Sequence, residues 1–331
     1  MEEFGTLPSG ETVHQLTLTG GGLTAHLLTS GAVLQDLRLE GHDAPLVLGF
    51  PDFEPYLSRS PYFGAIAGRC ANRIAGGHAE INGATYQLDR NFLGKHCLHG
   101  GADSMGKRLW RVEGHGPHHA VMAVTLPEGH MGFPGTMTAR ITFQLLRGGV
   151  LDIDMEAWTD APTLCNLAHH SYFVLDDGPT ISDHLLKVAA PSYLPVDDEL
   201  IPTGEVREVA GTGFDFRNFA PVRQASPVDH NFCLSDERTA LRPVAWLKSP
   251  RSGVTMECRT TEPGLQVYDG AKIDIDLPGL TGRPMSAHAG IALEPQVWPD
   301  ANHHDHFPQA LLRPEDRYHQ HTQFVFTKEN T

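Results

Sequence analysis

Paired cysteines are missing from this 331-residue chain. Cys70, Cys97, Cys165, Cys233 and Cys258 are odd in number, widely spread, and form no CxxC. That argues against a disulfide scaffold, and a reduced, cytosolic protein is the simplest account. No apolar run is long enough to span a bilayer, and Met1-Glu-Glu-Phe-Gly-Thr-Leu-Pro lacks the basic start and apolar core of a signal peptide. Positive charge is in short supply, with 25 Lys and Arg against 40 Asp and Glu, a formal −15. Nucleic acid and anionic membranes are therefore poor partners, whereas a neutral substrate is not disfavoured. No GxGxxG follows a strand, and GxSxG, HExxH and cysteine–histidine zinc spacings do not occur. These gaps argue against a dinucleotide fold, a hydrolase elbow and the common zinc sites. Internal repeats and long helical periodicity are absent as well.

What the chain has is turns and alternation. Glycine (34) and proline (24) are both plentiful. Leu16 and Leu18 alternate with polar residues, as do Leu23, Ala25 and Leu27 after Gly20-Gly21-Gly22, then Leu37 and Leu39. Met137, Ala139, Ile141, Phe143 and Leu145 alternate up to Arg147-Gly-Gly149, and Leu151, Ile153, Met155 and Ala157 continue beyond it. Period two on both sides of a glycine turn predicts a hairpin. The expected fold is all-β, a large antiparallel β-sandwich with few short helices. Length alone would allow two domains, but large all-β folds often remain one, so residues 1–331 are read as a single domain.

Several stretches carry polar groups that chemistry could use. In Gly290-Ile-Ala-Leu-Glu-Pro-Gln296, an apolar strand pattern reaches Glu294 and then Pro295. A residue before proline is pushed toward extended geometry, so Glu294 is expected to end a strand, half desolvated. It is then either a base or a solvated carboxylate at a turn. In Gly64-Ala-Ile-Ala-Gly-Arg-Cys-Ala-Asn-Arg-Ile-Ala-Gly76, small residues surround Arg69, Asn72 and Arg73. The arginines could ion-pair inside the fold or donate hydrogen bonds to a polyol. His99 precedes Gly100 and Gly101. The following Gly106-Lys107 mimics a phosphate-binding loop, but Arg108 stands where Ser or Thr must hold magnesium. In Asn166-Leu-Ala-His-His-Ser-Tyr-Phe173, neighbours on a strand face opposite ways, so only one of His169 and His170 can enter a given cavity. Asp229 and His230 read as turn-like, and Gln266 sits on a strand between Leu265 and Val267. The histidine-rich His303-His-Asp-His306 and His319-Gln-His321 invite a metal reading, which the missing ligand spacings oppose.

Six ordered motifs together resemble the aldose 1-epimerases, the galactose mutarotases. They are Gly68-Arg-Cys-Ala-Asn-Arg-Ile74, Leu98-His-Gly-Gly101 with Trp110 beyond it, Asn166-Leu-Ala-His-His-Ser-Tyr-Phe173, Asp229-His230, Pro263-Gly-Leu-Gln266 and Leu293-Glu-Pro-Gln296. The resemblance covers nearly the whole chain and implies a galactose mutarotase-like β-sandwich. It implies that Glu294 is the general base taking the proton from the anomeric hydroxyl and that His170 is the general acid serving the ring oxygen. It gives His99 and Arg73 the task of holding the sugar near the reacting centre, and Asn72, Asp229 and Gln266 that of binding hydroxyls. His169 departs from the family, which usually shows Asn there. The implied reaction interconverts the α and β anomers of free aldohexoses such as galactose and glucose, and needs neither cofactor nor metal. Base and acid must be ionised and protonated respectively, and a nearby carboxylate is expected to raise the histidine's pKa. A non-catalytic sugar-binding module would not need both Glu294 and His170. An epimerase of a phosphorylated hexose would call for a basic cluster. The partner expected is a small aldose sugar, with monomer or homodimer left open and a cytoplasmic location.

Overall fold

The alternation between residues 137 and 159 becomes a regular ladder. In a computed structural model, which describes residues 1–60 and 62–329, Met137–Leu146 pairs antiparallel with Val150–Thr159, from Met137 opposite Thr159 to Leu146 opposite Val150. Gly149 turns the chain at φ 73°, and a Cβ there would stand 2.2 Å from the Phe326 carbonyl oxygen. Glycine alone satisfies both the left-handed backbone and the close approach. Ile141, Phe143, Ile153 and Met155 are fully buried, while the residues between them are partly exposed. Burying a side chain such as Phe143 contributes about 1.5–3 kcal/mol.

This hairpin lies within a nine-stranded sheet. Its order is Arg111–His115, His119–Leu126, the hairpin, Tyr318–Lys328, Val254–Thr260, Arg242–Lys248, Leu185–Val188 and Ala220–Pro221. The N-terminal strands Glu2–Thr6, Thr12–Gly20, Leu23–Leu28 and Val33–Leu39 form a four-stranded meander. A six-stranded sheet runs Tyr172–Phe173, Ile291–Gln296, Gly264–Tyr268, Asp229–Cys233, Ser192–Tyr193, Arg207–Glu208. Leu16 and Leu27 of the meander, Phe143, Ile153 and Phe324 of the large sheet, and Leu265, Val267 and Leu293 of the six-stranded sheet share one hydrophobic core. The fold is thus the all-β antiparallel sandwich expected. Among the described residues, helix is confined to Glu54–Ser58 and short 3₁₀ turns, and no helix is long and apolar enough to cross a membrane.

The six-stranded sheet positions the site. Leu265, Val267 and Leu293 point into the core, so their neighbours Gln266 and Glu294 project from the opposite face. Two local expectations are corrected here. Asp229 and His230 open the strand Asp229–Cys233 rather than a turn. The strand carrying Glu294 does not end there but continues through Pro295 to Gln296. Its neighbour Tyr172–Phe173 pairs only with Ile291 and Ala292, so beyond Ala292 that edge carries no strand. The Pro295 carbonyl points to this edge and accepts from Gln320 Nε2 at 2.8 Å. The proline's missing N–H falls on the same side, where no ladder bond is lost.

Candidate active site

Arg73–Ile74 and Cys97–Leu98 form a two-residue ladder. It is flanked by Asn72 at φ 62° and His99 at φ 51°. Left-handed backbone is uncommon for residues other than glycine and is tolerated best by Asn, Asp and His. Two bonds hold it here. His99 N donates to the Asn72 carbonyl at 2.9 Å, and Asn72 N donates to His99 Nδ1 at 3.1 Å. Because Nδ1 accepts, the ring hydrogen of neutral His99 lies on Nε2. Gly100 allows the approach, since a Cβ there would stand 2.2 Å from the Gly68 carbonyl oxygen.

From this corner a polar chain crosses to the six-stranded sheet. Asn72 Oδ1 accepts from Arg73 Nη1 at 3.2 Å. Arg73 Nη2 donates to Asp229 Oδ2 at 3.1 Å, and Gln266 Nε2 donates to Asp229 Oδ1 at 2.6 Å. The Arg73 guanidinium also lies over the Phe92 ring, 4.9 Å from its centroid. Asn72, Arg73, Asp229 and Gln266 line one cavity, with Leu194, Leu200 and Pro202 among its walls.

His170 and Glu294 meet at the other end. His170 Nε2 lies 3.5 Å from Glu294 Oε1, and the two residues are 4% and 2% exposed. His170 Nδ1 and Glu294 Oε2 have no partner. The His170 ring sits 5.2 Å from that of His99, 5.1 Å from Tyr172 and 6.0 Å from Tyr62. All seven sequence-predicted site residues therefore fall in one connected region.

The electrostatics differ from the sequence expectation. Burial pushes Glu294 well above the usual carboxylate range; the charge of Asp229 adds to this and Arg73 opposes it. Burial lowers His170 to about 4, and neither its own backbone hydrogen bond nor Asp229 restores it. The neighbouring carboxylate does not lift the histidine because full burial penalises both charges. Burial thus favours the uncharged form of both groups, protonated Glu294 and neutral His170. Moving that proton to His170 gives carboxylate and imidazolium with the same proton count. His99 is held well below the ordinary histidine value by burial, then by His170 and Arg73. Such an arrangement can take a proton from one oxygen and give one to another on the same carbon.

Other candidates resolve differently. Arg69 is buried and donates to the carbonyls of Pro134 and Gly135, both at 2.8 Å, and to Thr163 Oγ1 at 3.2 Å, a structural anchor away from the pair. His303 Nδ1 contacts Asp300 Oδ1 at 2.6 Å, and His319 and His321 each meet an aspartate of the adjacent strand at 2.7 Å. Among the described residues no three His, Cys, Asp or Glu side chains are grouped to hold a metal ion. Sequence reasoning missed Tyr62, Tyr172, Tyr268 and Asn231 as neighbours of the site. Tyr172 was within reach, since it lies two residues beyond His170. Asn231 likewise follows Asp229 at period two.

The aldose 1-epimerase family profile matches residues 14–325. Galactose mutarotases of Sus scrofa and Homo sapiens are each 38% identical over 340 residues, covering 98% of this chain and 97% of theirs. The aldose 1-epimerase of Escherichia coli (strain K12) is 31% identical over 339 residues, 97% of both chains. Among solved structures, an aldose epimerase homologue from C. elegans matches with a TM-score of 0.90 at 30% identity, over 96% of this chain and 100% of that one. Galactose 1-epimerase from Lactobacillus acidophilus NCFM matches with a TM-score of 0.85 at 25% identity, over 99% and 98%. Matched along nearly its whole length by profile and relatives alike, the chain belongs to the aldose 1-epimerase family.

Proposed function

We propose that this aldose 1-epimerase interconverts the α and β anomers of free aldohexoses such as galactose and glucose, with Glu294 as general base and His170 as general acid. The observation that carries the assignment is the 3.5 Å contact between His170 Nε2 and Glu294 Oε1. Two groups that close reach two oxygens bonded to one carbon, which is what O1 and O5 of a cyclic aldose are. As carboxylate, Glu294 takes the O1 proton, and as imidazolium, His170 gives a proton to O5. The C1–O5 bond breaks while the C1–O1 double bond forms, leaving the open aldehyde. Rotation about C1–C2 presents the other carbonyl face, and reclosure returns both protons. Hydroxyl dipoles of the bound sugar favour the charged form of the pair that burial alone disfavours.

The other assignments follow from the same contacts. Neutral His99 offers Nε2–H near the ring oxygen, and Arg73 supplies positive charge where negative charge develops on opening. Asn72, Asp229 and Gln266 bind hydroxyls. Arg73, already paired with Asp229, does not suit a phosphate, which speaks against a phosphorylated hexose. The scheme uses no redox step, cofactor or metal. A single domain is supported by the core shared among the sheets, and a cytoplasmic location by five free, buried cysteines. Polarimetry on freshly dissolved α-anomers of an aldose panel tests the proposal. Catalysed mutarotation of at least one free hexose is expected, and none on any member would refute it.

A further inference from the structure

The strands Asp229–Cys233, Gly264–Tyr268 and Ile291–Gln296 lie side by side, with Asn231 opposite Gln266 and Gln266 opposite Glu294. Opposed residues project from the same face, so the three make one row across the sheet. Neighbouring strands are roughly 4.8 Å apart, which sets Asn231 one strand farther from Glu294 than Gln266. Asn231 is 2% exposed and lines the cavity shared by Arg73, Asp229 and Gln266. Its amide is nearly without partners: Oδ1 has none, and Nδ2 has the Cys233 sulfur at 4.0 Å. Buried polar groups are ordinarily paired, so an open amide lining this cleft is free to take a ligand. Gly264 leaves room for the amide itself, since a Cβ there would stand 2.5 Å from Asn231 Oδ1.

In an aldopyranose ring, C4 is opposite C1 and C3 is opposite O5. Seating C1 and O5 against Glu294 and His170 turns the C3–C4 edge toward the far end of this row. We propose that Asn231 is a specificity-determining residue that hydrogen-bonds a hydroxyl on C3 or C4. An amide suits a hydroxyl because it offers both an acceptor and donors. Leu200 and Pro202 wall the same cavity, so a bulky substituent on that edge is excluded and a free hydroxyl is selected. The inference rests on the proposed seating of the sugar at Glu294 and His170.

The test measures kcat and KM for galactose and its 2-, 3- and 4-deoxy derivatives with the wild type, Asn231→Ala and Asn231→Leu. The wild type should lose about tenfold or more in kcat/KM on the 3-deoxy or the 4-deoxy sugar. Both variants should lose a similar factor on galactose, mostly in KM, and none on that deoxy sugar. A merely structural role would weaken turnover of every sugar alike. An unchanged galactose-to-deoxy ratio in the variants would overturn the inference. So would a wild type that handles the 3- and 4-deoxy sugars as well as galactose, a result that needs no folded variant. Failure of the underlying seating is recognised separately, as full turnover in a folded Glu294→Gln protein.

Discussion

The rings of His169 and His170, consecutive in the chain, stand on opposite sides of it. His169 packs in the core, its centroid 6.0 Å from Phe143 and 6.1 Å from Phe324, with both ring nitrogens unpartnered. His170 faces His99 and Glu294. The division follows from strand alternation.

It predicts unequal mutants. His170→Asn removes the proposed acid and should lower kcat by about 10²–10⁴. His169→Asn should leave kcat near the wild-type value. Polarimetric rates beside thermal melts of both proteins decide the matter, and the opposite ranking in folded variants would place the acid on His169.

A second consequence concerns acid stability. Burial lowers His169 to about 3 from an ordinary 6.5, and His170 to about 4. The unfolded chain therefore binds these protons first, and stability is lost as pH falls from about 6.5 toward 3. Each histidine contributes up to about 1.4 kcal/mol per pH unit across its window. His169→Leu removes one such group together with its two unpaired nitrogens. Its urea midpoint should fall less steeply than the wild type's between pH 6.5 and 4. Equal slopes in the two proteins would show that His169 is not held neutral. Glu294, with its raised pKa, acts in the opposite sense: its contribution is complete in acid and is lost as pH rises through the raised value.

The parts of this molecule that were legible in the sequence are those written locally. The hairpin at residues 137–159 is visible because alternation and a Gly-Gly turn lie in one stretch. Glu294 and His170 sit in compact motifs. Depth and register were not legible. Pro295 reads locally as a break, and only the unpaired edge beyond Ala292 explains why the strand runs past it. Asn231 reaches the row of Gln266 and Glu294 through pairing of strands far apart in sequence. The sign of the His170 shift was missed for a related reason. A neighbouring carboxylate can be guessed from motifs, but burial of both groups depends on the packed fold.

Chelation offers a third check. Proton transfer at O1 and O5 is assigned to side chains, and the histidine-rich tail is engaged with aspartates: His303 with Asp300, His319 with Asp154 and His321 with Asp152. Dialysis against a strong chelator should leave the mutarotation rate unchanged. A large loss restored by one particular metal would overturn the side-chain scheme.

The last prediction isolates Glu294. Gln keeps its shape and much of its hydrogen bonding but cannot accept the O1 proton as a carboxylate does. Because burial favours the uncharged form of Glu294, Glu294→Gln also resembles the form the buried site prefers, so folding should survive the change. Sugar affinity should shift only modestly, while kcat falls by about 10²–10⁴, the factor a positioned base supplies. A carboxylate with a structural role would instead show a lowered melting temperature, and one that only binds would show weakened affinity at preserved kcat. Polarimetric kcat, equilibrium sugar binding and a thermal melt on the same variant separate these outcomes. Wild-type turnover in the folded variant would remove the base from the mechanism. Asp229 could not readily replace it, because both of its oxygens are engaged, by Arg73 and by Gln266.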